Sequence, residues 1–343
     1  MENIPDKVSK FMGDKITFIT GDIIQVRLPL PFALRIVNCY LIRDRGGWCV
    51  IDTGLHTPEG QAVWESVFAV LKIRKDELTR IVLTHCHPDH YGMAGWLQQY
   101  FSDGKEVPMP PVLVSQRELE NARTVFQPQI DLAQTIFEFF SSCGTPADIS
   151  NSIVSDLQNI RKATQPHPLR IEFLKPGSEL QIGDHTFRVL HTPGHSDGHL
   201  VFFEAETGLM LSGDHVLMEI TPNISLWPLS EPNPLGRYLE SLEQLAQLNV
   251  KSALPGHRQV ITNWQARIAE LQAHHEERLA NMKAAINGSA TPFQVSSRVF
   301  DLHELTTHEI RFAVTETLAH LEHLVVEEQI SKNVNGVWRY SLQ

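Results

Sequence analysis

Thr84-His85-Cys86-His87-Pro88-Asp89-His90 follows directly on the apolar run Ile81-Val82-Leu83. Three histidines and one aspartate fall within six residues of what reads as loop after a short strand. A loop can turn imidazoles and a carboxylate toward one small volume, and neutral imidazole nitrogen and carboxylate oxygen both suit a divalent cation such as Zn(II). Ligand-type side chains recur at matching places. His191-Thr-Pro-Gly-His195-Ser-Asp-Gly-His199 follows the strand-like Phe187–Leu190, and Leu211-Ser-Gly-Asp214-His215 ends another apolar run. Pro255-Gly-His257 follows Ser252-Ala-Leu254, and Asp52 closes Trp48-Cys-Val-Ile51. All five places are C-terminal ends of predicted strands, where open α/β sheets assemble their sites.

Outward from these loops, short β-branched and aromatic segments alternate with helical periods. Strands are predicted at Ile16–Ile19, Ile23–Leu28, Asn38–Ile42, Trp48–Ile51, Ile81–Leu83 and Val112–Val114, with Arg45-Gly-Gly47 as a hairpin turn. Helical spacing runs from Pro58 to Ile73 and from Gly92 to Phe101. Residues 116–165 are helical in period and rich in apolar mass (Phe126, Ile130, Leu132, Ile136, Phe137, Phe139, Phe140). Strands resume between Arg170 and Leu211, then helices at Leu235–Leu248 and Asn263–Ile286 flank the strand at Ser252. Such a mixture predicts a layered α/β fold. A boundary falls at Asn287-Gly-Ser-Ala-Thr-Pro292. Helices at Phe293–Phe300 and Thr307–Val326 then precede a hairpin through Asn335-Gly336, the outline of a small winged-helix-like module.

Composition sets the outer limits. With 343 residues, 42 % hydrophobic and 20 % charged, the chain has the make-up of a globular protein of about two domains rather than a disordered or fibrous one. The formal net charge of −11 argues against a broad nucleic-acid or anionic-membrane surface. The terminal module opposes four basic residues to seven acidic ones over 291–343, which makes it a poor reader of DNA and suits it to packing or dimerisation. No apolar run is long enough to span a bilayer. The polar opening Met1–Lys7 lacks a secretory pattern, and Cys39, Cys49, Cys86 and Cys143 form no C-x-x-C pair. Free buried thiols and a cytoplasmic location are the expectation, with a Cys39–Cys49 pairing across a hairpin as the alternative.

Taken together, I-D-T-G at Ile51–Gly54, H-x-H-x-D-H at His85–His90, T-P-G-H at Thr192–His195, S-G-D at Ser212–Asp214 and P-G-H at Pro255–His257 resemble the metallo-beta-lactamase superfamily over roughly residues 16–260. The resemblance implies an αββα metallo-beta-lactamase sandwich over residues 1–286, interrupted by the helical insertion at about 116–165 and followed by the winged-helix-like domain at 287–343. It implies a binuclear site, with His85, His87 and His195 on one cation, Asp89, His90 and His257 on the other, and Asp214 between them. The two divalent ions are taken as Zn2+, with Fe2+ or Mn2+ compatible with the same donors. A hydroxide bridging them would be the nucleophile, and Asp89 would orient it and shuttle a proton.

The reaction implied is hydrolysis of a carboxylic ester, thioester or lactone. The phenylalanines of the insertion would suit an acyl chain if they formed a lid, or would serve as core or as a dimer face. The alternative is endoribonuclease activity, which the superfamily also contains. A small, acyl-bearing substrate and a homodimer are expected. Asp52 is expected to support a ligating histidine, His199 and His215 to back the site, and Trp227, in Ile220–Pro228, to line the pocket. His56, His167, His185 and His191 read as structural or surface residues. His274, His275, His303, His308, His320 and His323 read as surface.

Overall fold

The computed structural model describes residues 13–127 and 132–343. Met1–Lys7 and Ile130 lie outside the described residues. Strands β1 (Ile16–Phe18), β2 (Ile23–Pro29), β3 (Ile36–Asp44), β4 (Gly47–Ile51), β5 (Leu78–Val82), β6 (Val112–Val114) and β7 (Ile171–Phe173) form one sheet in sequence order. β8 (Glu179–Ile182), β9 (His185–His191), β10 (Leu200–Glu204), β11 (Leu209–Gly213) and β12 (Ser252–Pro255) form a second, in which β12 lies beside β11. The helices are α1 (Pro58–Val70), α2 (Pro88–Tyr91), α3 (Ala94–Tyr100), α4 (Gln116–Phe126), α5 (Leu132–Ser142), α6 (Ala147–Lys162), α7 (Pro234–Ala246) and α8 (Trp264–Ala284). Beyond them come β13 (Ser289–Ala290), α9 (Pro292–Val299), α10 (Thr307–Val326), β14 (Ile330–Asn333) and β15 (Arg339–Leu342).

Side chains alternate across a pleated strand, so each strand feeds two layers. On β3, Val37, Cys39 and Leu41 enter a core shared with Trp64 and Phe68 of α1, while Tyr40 and Ile42 enter the core between the sheets. On β10, Leu200 and Phe202 face that inter-sheet core, and Val201 and Phe203 face α7 and α8 with Leu242 and Trp264. Helices thus cover both outer faces of a two-sheet sandwich, the αββα arrangement. Cys39 and Cys49 fall in different cores on opposite faces of the first sheet, and all four cysteines are buried free thiols. The alternative pairing across the hairpin is therefore ruled out geometrically: Cys49 stands opposite Ile42, and Cys39 opposite Val26.

Three of the insertion's four phenylalanines pack into cores rather than forming a lid, and Phe137 is half-buried. Phe126 stacks on Tyr91 inside the first core, its ring centroid 5.6 Å away. Phe140 is buried in a fourth core with Ile153 of α6, Met282 of α8 and Val314, Leu318 and Leu321 of α10, and Phe139 packs edge-on against Trp338. Its apolar mass is therefore taken up inside the molecule, largely joining the insertion to the C-terminal elements. Those elements carry one strand more than expected, β13, which pairs with β15. Asn335 and Gly336 lie in a longer connection than a two-residue turn, since the ladder closes at Asn333 and Arg339. Among the described residues no helix is long and apolar enough to cross a membrane.

Candidate metal centre

β4 and β5 run parallel, as do β11 and β12. Parallel neighbours end on the same edge, so Asp52, the loop 83–90, Asp214 and His257 emerge together, and the β9–β10 connection adds His195 from the same side. The structure brings all seven implied ligands into one place. Donor atoms of His85, His87 and His195 lie within 4.8 Å of one another, as do those of His85, His90 and Asp214, and those of Asp89, His90 and His257. Asp214 Oδ2 is 3.4 Å from His90 Nε2, 3.7 Å from His195 Nε2 and 3.3 Å from His257 Nε2. Asp89 Oδ2 is 3.2 Å from His257 Nε2. At Gly256 an added Cβ would meet Asp214 Oδ1 at 2.2 Å and His90 Cε1 at 2.6 Å, so this cradle admits no larger residue.

The hydrogen bonds fix which nitrogen each ring offers. His195 Nδ1 donates to the Asn223 carbonyl at 2.9 Å, and His257 Nδ1 to that of Ile36 at 2.7 Å. His90 Nδ1 donates to Asp52 Oδ2 at 2.8 Å. Thr84 Oγ1 gives its proton to Asp52 Oδ2 at 2.8 Å, so it accepts from His85 Nδ1 at 2.9 Å. In every case the outward nitrogen is committed to an acceptor, so the inward Nε2 is the one left to meet a cation. Nε2 of His85, His90, His195 and His257, and Oδ1 of Asp214, are buried without a hydrogen-bond partner. Buried polar groups are rarely left so. A convergent set of orphaned acceptors fits divalent cations and nothing apolar.

The charges agree. Burial holds the pKa of His85 well below the ordinary imidazole value, with neighbouring imidazoles adding to the effect, and takes His87 down to about 3. Burial also opposes charge on His90 and His257. The carboxylates of Asp214, Asp52 and Asp89 outweigh it at His90, which stays well above the ordinary value, and those of Asp214 and Asp89 raise His257 to about 10. Asp214 and Asp89 are held low despite burial by the His257 and His90 imidazoles. Without cations, protons on two histidines neutralise the carboxylates, so metal binding must displace them.

A family model described as the metallo-beta-lactamase superfamily matches residues 33–257, and one described as metallo-beta-lactamase-like, C-terminal domain, matches 279–343. The chain belongs to the metallo-beta-lactamase superfamily. It is a metallo-hydrolase. The hydrolase is 28 % identical over 333 residues to "Probable metallo-hydrolase YqjP" of Bacillus subtilis (strain 168), covering 92 % of this chain and 96 % of that one. It superposes on a metallo-beta-lactamase family protein of Thermus thermophilus with a TM-score of 0.83 at 31 % identity, over 94 % of this chain and 99 % of that one. A beta-lactamase domain protein of Burkholderia ambifaria gives 0.82 at 28 % identity, over 96 % and 93 %.

Around its ligands the hydrolase uses several further residues. Asp52, buried with a left-handed φ of 55°, receives the Thr84 N–H at 2.8 Å as well as the bonds above, so one carboxylate fixes both His85 and His90. His199 Nε2 accepts from the Asp214 N–H at 3.3 Å. His215 is buried between Tyr238 and His199, and among the described residues neither of its ring nitrogens has a hydrogen-bond partner. Trp227 packs on Phe140 at 6.0 Å and beneath Arg311, within the C-terminal core.

Two residues escaped the sequence reading. Glu118 on α4 is buried and accepts from Cys86 N at 2.7 Å, Gly198 N at 2.7 Å and Ser196 Oγ at 2.5 Å, tying the two histidine loops together. Asn223, whose carbonyl orients His195, is itself held by Glu316 of α10 at 2.9 Å. The C-terminal helix thereby helps to build the metal centre. Two distal histidines are not surface residues as expected. His275 and His320 are fully buried, because α8 and α10 are covered on those faces, whereas His274, His308 and His323 are half-buried and His303 is exposed.

Proposed function

We propose that this hydrolase cleaves a carboxylic ester, thioester or lactone, with His85, His87 and His195 holding one divalent cation, Asp89, His90 and His257 a second, and Asp214 shared. The observation that carries the metal assignment is the convergence of unpartnered inward Nε2 atoms on Asp214, whose Oδ1 is itself unpartnered. Two bound cations, taken as Zn2+, would supply a nucleophilic water near neutral pH and polarise the attacked carbonyl. Within the chain, Asp89 accepts the proton of that water and passes it to the departing alkoxide or thiolate. Asp52, Thr84 and Asn223 hold the ligand rings in one tautomer and orientation.

His85, His90 and His257 are buried, while His87 and Asp89 are partly open, so a substrate approaches from the His87–Asp89 side. A polynucleotide needs a track of Lys and Arg, which the net charge of −11 and the acidic terminal module do not supply. The C-terminal elements act, in this reading, as a winged-helix-like packing module. Four free thiols favour a cytoplasmic setting. The test is a panel of p-nitrophenyl esters, acyl thioesters, lactones and labelled RNA on gently purified protein. Turnover of an acyl substrate, lost on chelation and in His87→Ala, is expected; cleavage of RNA alone would move the reaction to phosphodiesters.

A further inference from the structure

Arg311 of α10 is 6 % exposed, yet among the described residues no carboxylate comes within salt-bridge distance of it. Its guanidinium lies over the Trp227 ring (5.2 Å) and the Phe312 ring (4.4 Å), and its buried Nε has no partner among them. Burial lowers its pKa to about 10, partly countered by the more distant Asp156, so it remains a cation at neutral pH. A buried cation without a counter-ion is costly, and proteins normally pair it.

Among the described residues, the guanidinium's one hydrogen bond runs from Nη2 to His308 Nδ1 at 3.2 Å. With Nδ1 accepting, His308 must carry its proton on Nε2, which makes no hydrogen bond among the described residues. The His308 ring lies flat on Phe32 (centroids 4.8 Å apart, planes 2° apart) and near enough to the metal centre to feel the charge of Asp89. One turn further along α10, Thr315 accepts from Leu226 N at 3.2 Å and bonds Ser225 at 2.8 Å, docking the helix on the loop whose Asn223 orients His195. Arg311, with an unpartnered Nε, and His308, with a free Nε2–H, are thus held beside the candidate metal centre with no carboxylate acceptor among the described residues.

We propose that Arg311 and His308 form an anion subsite that takes a carboxylate or phosphate group of the substrate on the side of the metal centre covered by α10. This rests on the hydrolytic reading for its link to turnover, but not for binding. The guanidinium fork would grip two oxygens and the His308 Nε2–H would supply a further donor.

The experiment is calorimetric titration of the metal-loaded full-length protein with glutarate, neutral glutaramide and inorganic phosphate, in wild type, Arg311→Gln, Arg311→Lys and His308→Gln. Wild type should bind an anion and not glutaramide. Affinity should fall roughly tenfold to hundredfold in Arg311→Gln, less in Arg311→Lys, which keeps the charge but loses the fork, and less again in His308→Gln. Tighter binding of glutarate or of phosphate identifies which oxyanion the site prefers. Equal anion affinity in all four proteins at equal metal content would place the anion on the metals and overturn the proposal, as would no anion binding to wild type. Should Arg311→Gln fail to fold, Arg311→Lys and His308→Gln carry the same comparison. Turnover of the ester, thioester and lactone panel, with glutaryl as well as hexanoyl acyl groups, is measured in parallel. Its absence throughout, alongside Arg311-dependent anion binding, would sink the acyl-hydrolase reading and leave the subsite standing.

Discussion

His85, His90 and His257 are as deeply buried as His275 and His320, yet the two groups are built on opposite terms. The first three turn Nε2 toward Asp214 or Asp89 and their Nδ1 toward fixed acceptors. The second two lean on one another: His275 Nδ1 donates to His320 Nε2 at 3.1 Å, and His320 Nδ1 donates to the Glu316 carbonyl at 2.8 Å, while His275 Nε2 is left buried without a partner and with no carboxylate facing it among the described residues. Burial drives His275 to about 2 and His320 to about 3, the mark of a neutral pair, whereas carboxylates lift His257 to about 10. Burial alone therefore does not make a histidine a ligand. What separates the groups is convergence on a carboxylate: His275 Nε2 is unpartnered too, but it faces neither Asp214 nor Asp89.

The largest effect should come from removing that focus. Asp214→Ala should lose metal by elemental analysis and reduce turnover by about 10^4-fold; a variant that kept both metals would erase the distinction between the groups. Breaking the support rather than the focus should do less. Asp52→Ala frees Thr84 and His90, and metal affinity should weaken about 10- to 100-fold by competition with a chelating dye. On the other side of the comparison, His320→Leu should leave metal content unchanged but strand His275 Nδ1 in the core, lowering stability by about 1–3 kcal/mol in urea unfolding.

The smallest effect concerns a third kind of histidine. Burial disfavours charge on His185, but Glu204 and Asp22, both about 3.0 Å from it, raise its pKa above the ordinary value. Its stabilisation is then fully present below the unfolded pKa of about 6.5 and fades as pH rises through the higher folded value. The melting-temperature gap between wild type and His185→Gln should be wider at acid than at alkaline pH, and worth under about 1 kcal/mol because its Asp22 partner is exposed.

Much of the centre was legible because each ligand stands in a short motif at a strand end, and strand ends can be read locally. The supports were less so. Asp52 is marked by its place after β4, but Glu118 and Asn223 act on loops roughly 30 to 80 residues away in sequence, and no local pattern announces such contacts. The insertion's phenylalanines gave their apolar character and not their destination, since a lid and a core demand the same residues. His275 is a different failure. Trp264, Ile268, Leu271, His275 and Met282 share the buried face of α8 at helical spacing, so the period placed His275 inside and only its polar side chain argued for the surface.

The central claim is that seven side chains form one two-ion site. Anomalous diffraction from crystals loaded with Zn2+, recorded on either side of the metal edge, tests it most directly. Two peaks are predicted, one among His85, His87 and His195 and one among Asp89, His90 and His257, with Asp214 touching both. A single peak, or ions gathered at His275 and His320 instead, would contradict it.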